Sequence, residues 1–180
     1  MIAVNAPLLW IYYRLVPLVA RVTPTSGKQS GIAMTEKKAR TWLNANTEHE
    51  GFPIYFRRPD IRVSEFEGLR PQYPVLLAIK HQLSHVKDNG LPVAAYNKSL
   101  APLDAALVEP FRDESDGLVA LVETFAGKRT YYIYLAPTFD AQQFMSSIAS
   151  KFQQESISWK LHDDPTWRLF NGYAADFQFA

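Results

Sequence analysis

The fold of this chain is decided by the stretch LVALVETFAGKRTYYIYLA, which spans residues 118–136. Two runs rich in apolar, aromatic and β-branched residues, 118–125 and 128–136, flank the dipeptide Ala126-Gly127, a short connection typical of a β-hairpin. Successive side chains of a strand point to opposite faces, so Tyr131 lies on one face and Tyr132 and Tyr134 lie on the other. The stretch therefore predicts an antiparallel hairpin whose tyrosines take part in sheet packing.

The elements on either side of this hairpin form a recognisable order. Before it, residues 75–79 are apolar on both faces, as in a central strand, and a helix capped by Ser99 follows, with Pro102 in its first turn. After it, a second amphipathic helix begins at Asp140, and residues 157–162 alternate as a strand. The order predicts an α+β fold, the ferredoxin-like split βαβ sandwich (βαββαβ), with both helices on one face of an antiparallel sheet.

Two further elements are predicted upstream, so the fold includes an extra N-terminal helix and strand. The helix runs from Thr35 to about Asn44, with Trp42 and Leu43 toward the core. Residues 52–57 alternate as a strand, and Pro53, which lacks an N–H donor, suits an edge position. Where this strand joins the sheet stays open.

The first 33 residues differ from the rest of the chain. They hold three basic residues and no acidic one, so residues 34–180 carry a small negative net charge although the whole chain is +1. Prolines and arginines interrupt their apolar run, which argues against a transmembrane span. We expect a non-domain leader over 1–33 and a single domain over 34–180. Three interpretations of residues 1–33 are ranked. In the first, Met34 is the true start and the residues before it are upstream translation; in the second they are a peripheral membrane anchor, and in the third a secretory signal.

Composition excludes several classes of function. The chain has no cysteine, which rules out disulfides, thiolate nucleophiles, cysteine zinc sites and Fe–S clusters. A reducing compartment is therefore permitted, and we expect the protein to be cytoplasmic. Charges of both signs are mixed and the domain is mildly acidic, so nucleic acid is not an expected partner.

Two histidines have a spacing that suggests metal binding on a helix. His81 and His85 are four residues apart, but they follow a strand, where four residues span roughly 13 Å. His81 is an even number of residues from Val75, Leu77 and Ile79, so on a continuing strand its side chain would point to the same, inward face. We therefore expect a buried, hydrogen-bonded His81 and no metal site.

Adjacent carboxylates follow the last predicted strand. Asp163 and Asp164 could share a proton or a cation. The following Pro165 favours another interpretation, in which Asp164 caps a short helix that begins at Pro165 and ends near Gly172. Trp167 and Phe170 would then pack onto the sheet.

These motifs together carry a family resemblance. The run 127–135, the segment from Trp159 to Trp167 and the upstream pair Leu91-Pro92 resemble a bacterial family known as domain of unknown function number 695. The resemblance covers roughly residues 37 to 173. It implies a family without an assigned activity, so it transfers no functional residue.

Two functional hypotheses follow. The first is a soluble interaction or regulatory module that docks an unidentified protein on the sheet face without helices, where Tyr132 and Tyr134 lie, or on an added edge strand. The alternative is an enzyme or small-ligand-binding domain with a pocket at the sheet end formed by His81, His162, Asp163 and Tyr134. We predict no catalytic residue, no metal and no cofactor, and favour a protein that is not an enzyme. The oligomeric state stays open.

Overall fold

The computed structural model describes residues 41–61 and 63–176. The predicted leader 1–33 and the first part of the predicted N-terminal helix lie outside these residues. The described chain is an α+β fold with one six-stranded antiparallel sheet in the order β1-β2-β4-β5-β3-β6. The strands are β1 (Trp42–His49), β2 (Phe52–Pro59), β3 (Val75–Gln82), β4 (Gly117–Phe125), β5 (Lys128–Leu135) and β6 (Ser156–Asp163). The helices are α1 (Val63–Leu69), α2 (Ala94–Ser99), α3 (Ala101–Val108), α4 (Ala141–Lys151) and α5 (Arg168–Asp176).

Two tight turns set the register of the hairpins. Ala126 and Gly127 have φ angles of 47° and 77°, and Glu50 and Gly51 have φ angles of 51° and 81°. Positive φ at both central residues is the signature of the type I′ turn, whose twist matches that of the flanking strands. The predicted hairpin at Ala126-Gly127 is confirmed.

Helices cover both faces of the sheet. On the first face, α3 and α4 pack through residues such as Leu107 and Met145 against the side chains of β3, β4 and β5. On the second face, α1 packs through Phe66 and α5 packs through Phe170, together with Trp167, which directly precedes α5. The two helices predicted between the strands, α3 and α4, lie on one face of the sheet as expected. The terminal helix α5 folds back over the tyrosines of β5 on the other face.

The predicted N-terminal helix is wrong for residues 42–44, which belong to β1. All eight residues of β1 pair with β2 through the Glu50-Gly51 turn. Burial alternates from Leu43 to His49, where the exposed Asn44, Asn46 and Glu48 alternate with partly buried residues. The turn and this alternation outweigh any local preference of Trp42 and Leu43 for a helix.

The helix caps are confirmed in part. The Asp140 carboxylate accepts a hydrogen bond from the backbone N–H of Gln143 at 2.8 Å, as a cap of α4. Ser99 is the last residue of α2 rather than a cap, and α3 begins after Leu100, with Pro102 in its first turn as predicted.

Candidate functional site

A cleft of about 430 Å³ opens on the first face of the sheet, beside the β1–β2 hairpin. Its floor is formed by β2, β4 and β5, and its walls are formed by α2, α3 and the loop that follows β3. The loop is anchored on the β4–β5 turn, where the Gly127 N–H donates to the Gly90 carbonyl at 2.8 Å. We call this site the basic cleft, because Arg57, Lys87 and Arg129 line it.

One of the three cations is neutralised within the cleft. The Arg57 guanidinium donates to Oδ1 of Asp104, and it also lies over the Trp42 ring, 5.2 Å from the ring centroid. The Tyr131 hydroxyl donates to the same Asp104 oxygen at 2.9 Å. Burial, and then the Asp104 carboxylate, raise the pKa of Tyr131 above its ordinary value, so this phenol stays protonated as a donor.

A second cation, Arg129, is oriented without being neutralised. Its Nη2 donates to Oδ1 of Asn97 at 2.6 Å, and its Nε donates to Oγ1 of Thr124 at 3.2 Å. Both acceptors are neutral, and within residues 41–61 and 63–176 no carboxylate forms an ion pair with Arg129. A guanidinium has five N–H donors, so the other three have no hydrogen-bond partner among the described residues.

The arrangement favours an anion. A guanidinium held by two hydrogen bonds is preorganised for a carboxylate or phosphate, which it binds with two parallel hydrogen bonds. Lys87 adds an exposed positive charge at the rim, beside the half-buried Arg129. The chemistry that the basic cleft offers is therefore recognition of a negatively charged group.

Sequence reasoning missed the basic cleft. Asp104 and Arg57 are 47 residues apart, and Asn97 and Arg129 are 32 residues apart. One local signal was available. Arg129 is two residues from Tyr131, so both side chains point to the same face of β5, the face on which α3 and α4 pack.

His81 is buried and hydrogen-bonded, as predicted. Its side chain is 0% exposed, and its Nε2 lies 2.7 Å from Oε2 of Glu155. The Tyr96 hydroxyl donates to the same oxygen at 3.1 Å. His85 is exposed and packs beside the Tyr96 ring, so the two histidines do not converge. Among the described residues, no group of three or more metal-ligating side chains comes together.

The predicted sheet-end pocket is not assembled. His81 lies opposite Ile157 of β6, whereas His162 lies opposite Leu76 and Asp163 lies opposite Val75. His81 of β3 and His162 of β6 therefore lie near opposite ends of this strand pair, about 16 Å apart along the strands at roughly 3.3 Å per residue.

The two candidate tyrosines of β5 lie beneath α5. Tyr134 is 0% exposed and stacks on Trp167, with ring centroids 4.1 Å apart. Tyr132 is 5% exposed and lies near the Tyr173 ring. A partner that docks on the second face would meet α5 before it met either tyrosine.

Asp164 caps α5, as predicted, but the helix begins later in the chain than expected. Its Oδ1 accepts from the Arg168 N–H at 2.9 Å, and its Oδ2 accepts from the Leu169 N–H at 3.2 Å and from the Tyr134 hydroxyl at 2.8 Å. The helix starts at Arg168 rather than at Pro165, and Gly172 lies inside it. Trp167 and Phe170 pack on the second face, as expected.

A half-buried acid on the second face, Glu123, was also missed. The Tyr173 hydroxyl donates to Oε2 of Glu123 at 2.6 Å. Burial raises the pKa of Glu123, against the opposing effects of the Tyr173 hydrogen bond and of Lys80. The available signal was a carboxylate directly after the apolar run of residues 118–122.

The chain belongs to the Family of unknown function (DUF695), whose family model matches residues 40–173. The match begins just before β1 and ends within α5, so it includes the whole sheet and the basic cleft. No curated protein and no solved structure matches the chain. None of the helices in the described ranges has the length and apolar character needed to cross a bilayer.

Proposed function

We propose that this protein is an interaction module that binds an acidic segment of a partner protein in the basic cleft. The observation that carries this proposal is Arg129, a guanidinium held in position by two neutral acceptors and left without a carboxylate among the described residues. Its orientation is already determined before binding, so an incoming carboxylate does not have to offset the entropy of ordering that side chain.

The shape of the site favours a polypeptide over an enclosed small molecule. The cleft is open along one side and continues toward the hairpin, where Tyr55 is 47% exposed. Tyrosine and arginine are enriched at protein interfaces and in their energetic hot spots. An extended acidic segment could contact Arg129 and Lys87 through its carboxylates and Tyr55 through an apolar side chain.

The finer features of the fold are part of the same proposal. The strands β4-β5-β3-β6 are adjacent, with α2 and α3 between β3 and β4 and α4 between β5 and β6. This order supports a ferredoxin-like sandwich to which the β1–β2 hairpin is added beyond β4. We further propose a bacterial, cytoplasmic protein, which the absence of cysteine permits. The enzyme alternative has less support, because His81 and His162 lie at opposite ends of the sheet.

The proposal is tested by NMR titration of the full chain with an acetylated octaglutamate peptide. We expect amide shifts in the loop that carries Lys87 and at Asn97 and Arg129, with affinity that decreases as salt increases. Replacing Arg129 with Gln should weaken binding at least about tenfold, the loss of a charge-assisted hydrogen-bonded contact.

A matched control is Arg112→Gln. Arg112 is exposed, pairs with Glu109 at 3.2 Å and lies outside the basic cleft. Equal loss of binding in both variants would show a nonspecific charge effect and would contradict the proposal. Full competition by inorganic phosphate would identify a small-anion site, and tighter binding of a single-stranded oligonucleotide would identify a nucleic-acid site.

A further inference from the structure

The outer edge of β6 is unpaired among the described residues. The inner edge of β6 pairs with β3 over all eight positions, from Gln82 opposite Ser156 to Val75 opposite Asp163. Within the described part of the chain, no strand lies on the other side of β6. An edge strand presents free N–H and C=O groups that can pair with another strand.

Apolar side chains form a row along the first face of this edge. Ile157 and Trp159 are partly buried against the first-face core, whereas Leu161 is 46% exposed. The large exposed hydrophobic residues of the described chain are Phe52, Tyr55, Val86 and Leu161, and only Leu161 belongs to an edge strand. The opposite edge strand, β1, exposes Asn44, Asn46 and Glu48 instead.

We propose that two copies of this protein pair through β6, antiparallel, with the two-fold axis at Trp159. In this register Ile157 of each copy lies opposite Leu161 of the other, so the exposed leucine gains an apolar cross-strand neighbour. The two sheets join into a single sheet of twelve strands, and the row of Ile157, Trp159 and Leu161 becomes continuous across the two copies.

Charge and apolar pairing together select this register over its two neighbours. Lys160, the basic residue of β6, lies opposite Ser158 of the second copy. Moving the axis to Lys160 would place Lys160 opposite Lys160, and like charges that face each other destabilise a strand pair. Moving it to Ser158 would place Leu161 opposite Glu155, so the exposed leucine would lose its apolar neighbour. Registers that pair odd-numbered with even-numbered residues would move the apolar row to the wrong face.

A single strand pair gives a weak dimer. Interfaces below about 1,200 Å² belong to transient complexes, so we expect dissociation in the micromolar range. The proposal is independent of the basic cleft, which lies toward the other edge of the sheet and stays open in the dimer.

The register is tested by disulfide trapping, because the chain has no native cysteine. Ser158→Cys and Lys160→Cys place single thiols at exposed positions of β6. A mixture of the two variants in a glutathione redox buffer should form the disulfide between Cys at 158 of one copy and Cys at 160 of the other. This disulfide should form several times faster than the 158–158 or 160–160 disulfide of either variant alone. Equal rates for the mixture and the single variants would overturn the register.

The interface is tested by sedimentation equilibrium of the full chain. The wild type should shift from monomer to dimer between about 1 and 200 μM, the range expected of a weak interface. Leu161→Lys should remain monomeric, and Phe52→Lys, a control at an exposed site of β2, should dimerise as the wild type does. A wild type that is monomeric throughout, or a Leu161→Lys variant that dimerises equally, would refute the proposal.

Discussion

Replacing Asp164 with Ala should strongly destabilise the protein, because this one carboxylate stabilises both a helix start and a buried hydroxyl. Its oxygens accept from the N–H groups of Arg168 and Leu169 and from the hydroxyl of Tyr134. Loss of a helix cap costs about 0.5–2 kcal/mol, and loss of the acceptor for a buried donor costs about 1–3 kcal/mol. Together these effects predict a decrease of about 2–4 kcal/mol in the free energy of unfolding.

Urea unfolding of a small set of variants separates these contributions. Asp164→Asn keeps one acceptor oxygen for the helix N–H groups and should lose about 1 kcal/mol. Tyr134→Phe in a double-mutant cycle with Asp164→Ala should give a coupling energy of about 1 kcal/mol, since the pair shares a direct hydrogen bond.

The neighbouring Asp163 is the matched control. It is exposed and has no hydrogen bond to α5 among the described contacts, so Asp163→Ala should change stability by less than about 0.5 kcal/mol. If Asp164→Ala is within 1 kcal/mol of the wild type, or if both alanine variants lose equal stability, the argument from the cap is refuted.

Three further substitutions test other parts of the structure. Burial raises the folded-state pKa of Glu123 above its ordinary value of 4.5, so the wild type should lose stability relative to Glu123→Gln as the pH rises above about 4.5. Urea midpoints of both proteins at pH 4 and pH 8 measure this: the wild-type midpoint minus the Glu123→Gln midpoint should be lower at pH 8 than at pH 4, and a difference that is equal or higher at pH 8 would contradict the expectation. Trp159→Ala removes a half-buried side chain and should lower the free energy of unfolding by about 2–3 kcal/mol. Lys160→Ala, at an exposed position of the same strand, should leave it nearly unchanged. Equal decreases in the two variants would mean that the faces of β6 are misassigned. Gly90→Ala places a Cβ 2.9 Å from the Ala126 backbone at a φ of +77° and should lower the thermal midpoint by several degrees, whereas an unchanged midpoint would show that the loop is not anchored there.

Local features of the sequence correctly predicted much of the fold. The Ala126-Gly127 turn, the two-residue alternation of β6 and the Asp140 cap each depend on residues a few positions apart. The cap at Asp164 was predicted for the same reason, although the start of α5 was placed three residues too early. Such features are decided by backbone geometry within one or two turns of chain, which periodicity and turn chemistry report directly.

The sequence by itself determined the strands β2 to β6, the helices α3, α4 and α5 and their order, and it determined which residues, such as His81 and Trp159, point into the protein. Only the tertiary structure decided that α5 covers the β5 tyrosines, that β1 is a strand and that the basic cleft exists. The cleft depends on Arg57 meeting Asp104 and on Asn97 meeting Arg129, contacts made across elements far apart in the chain. Local patterns carry no record of such contacts, because they arise only when the packing of helices on the sheet brings distant residues within hydrogen-bonding distance.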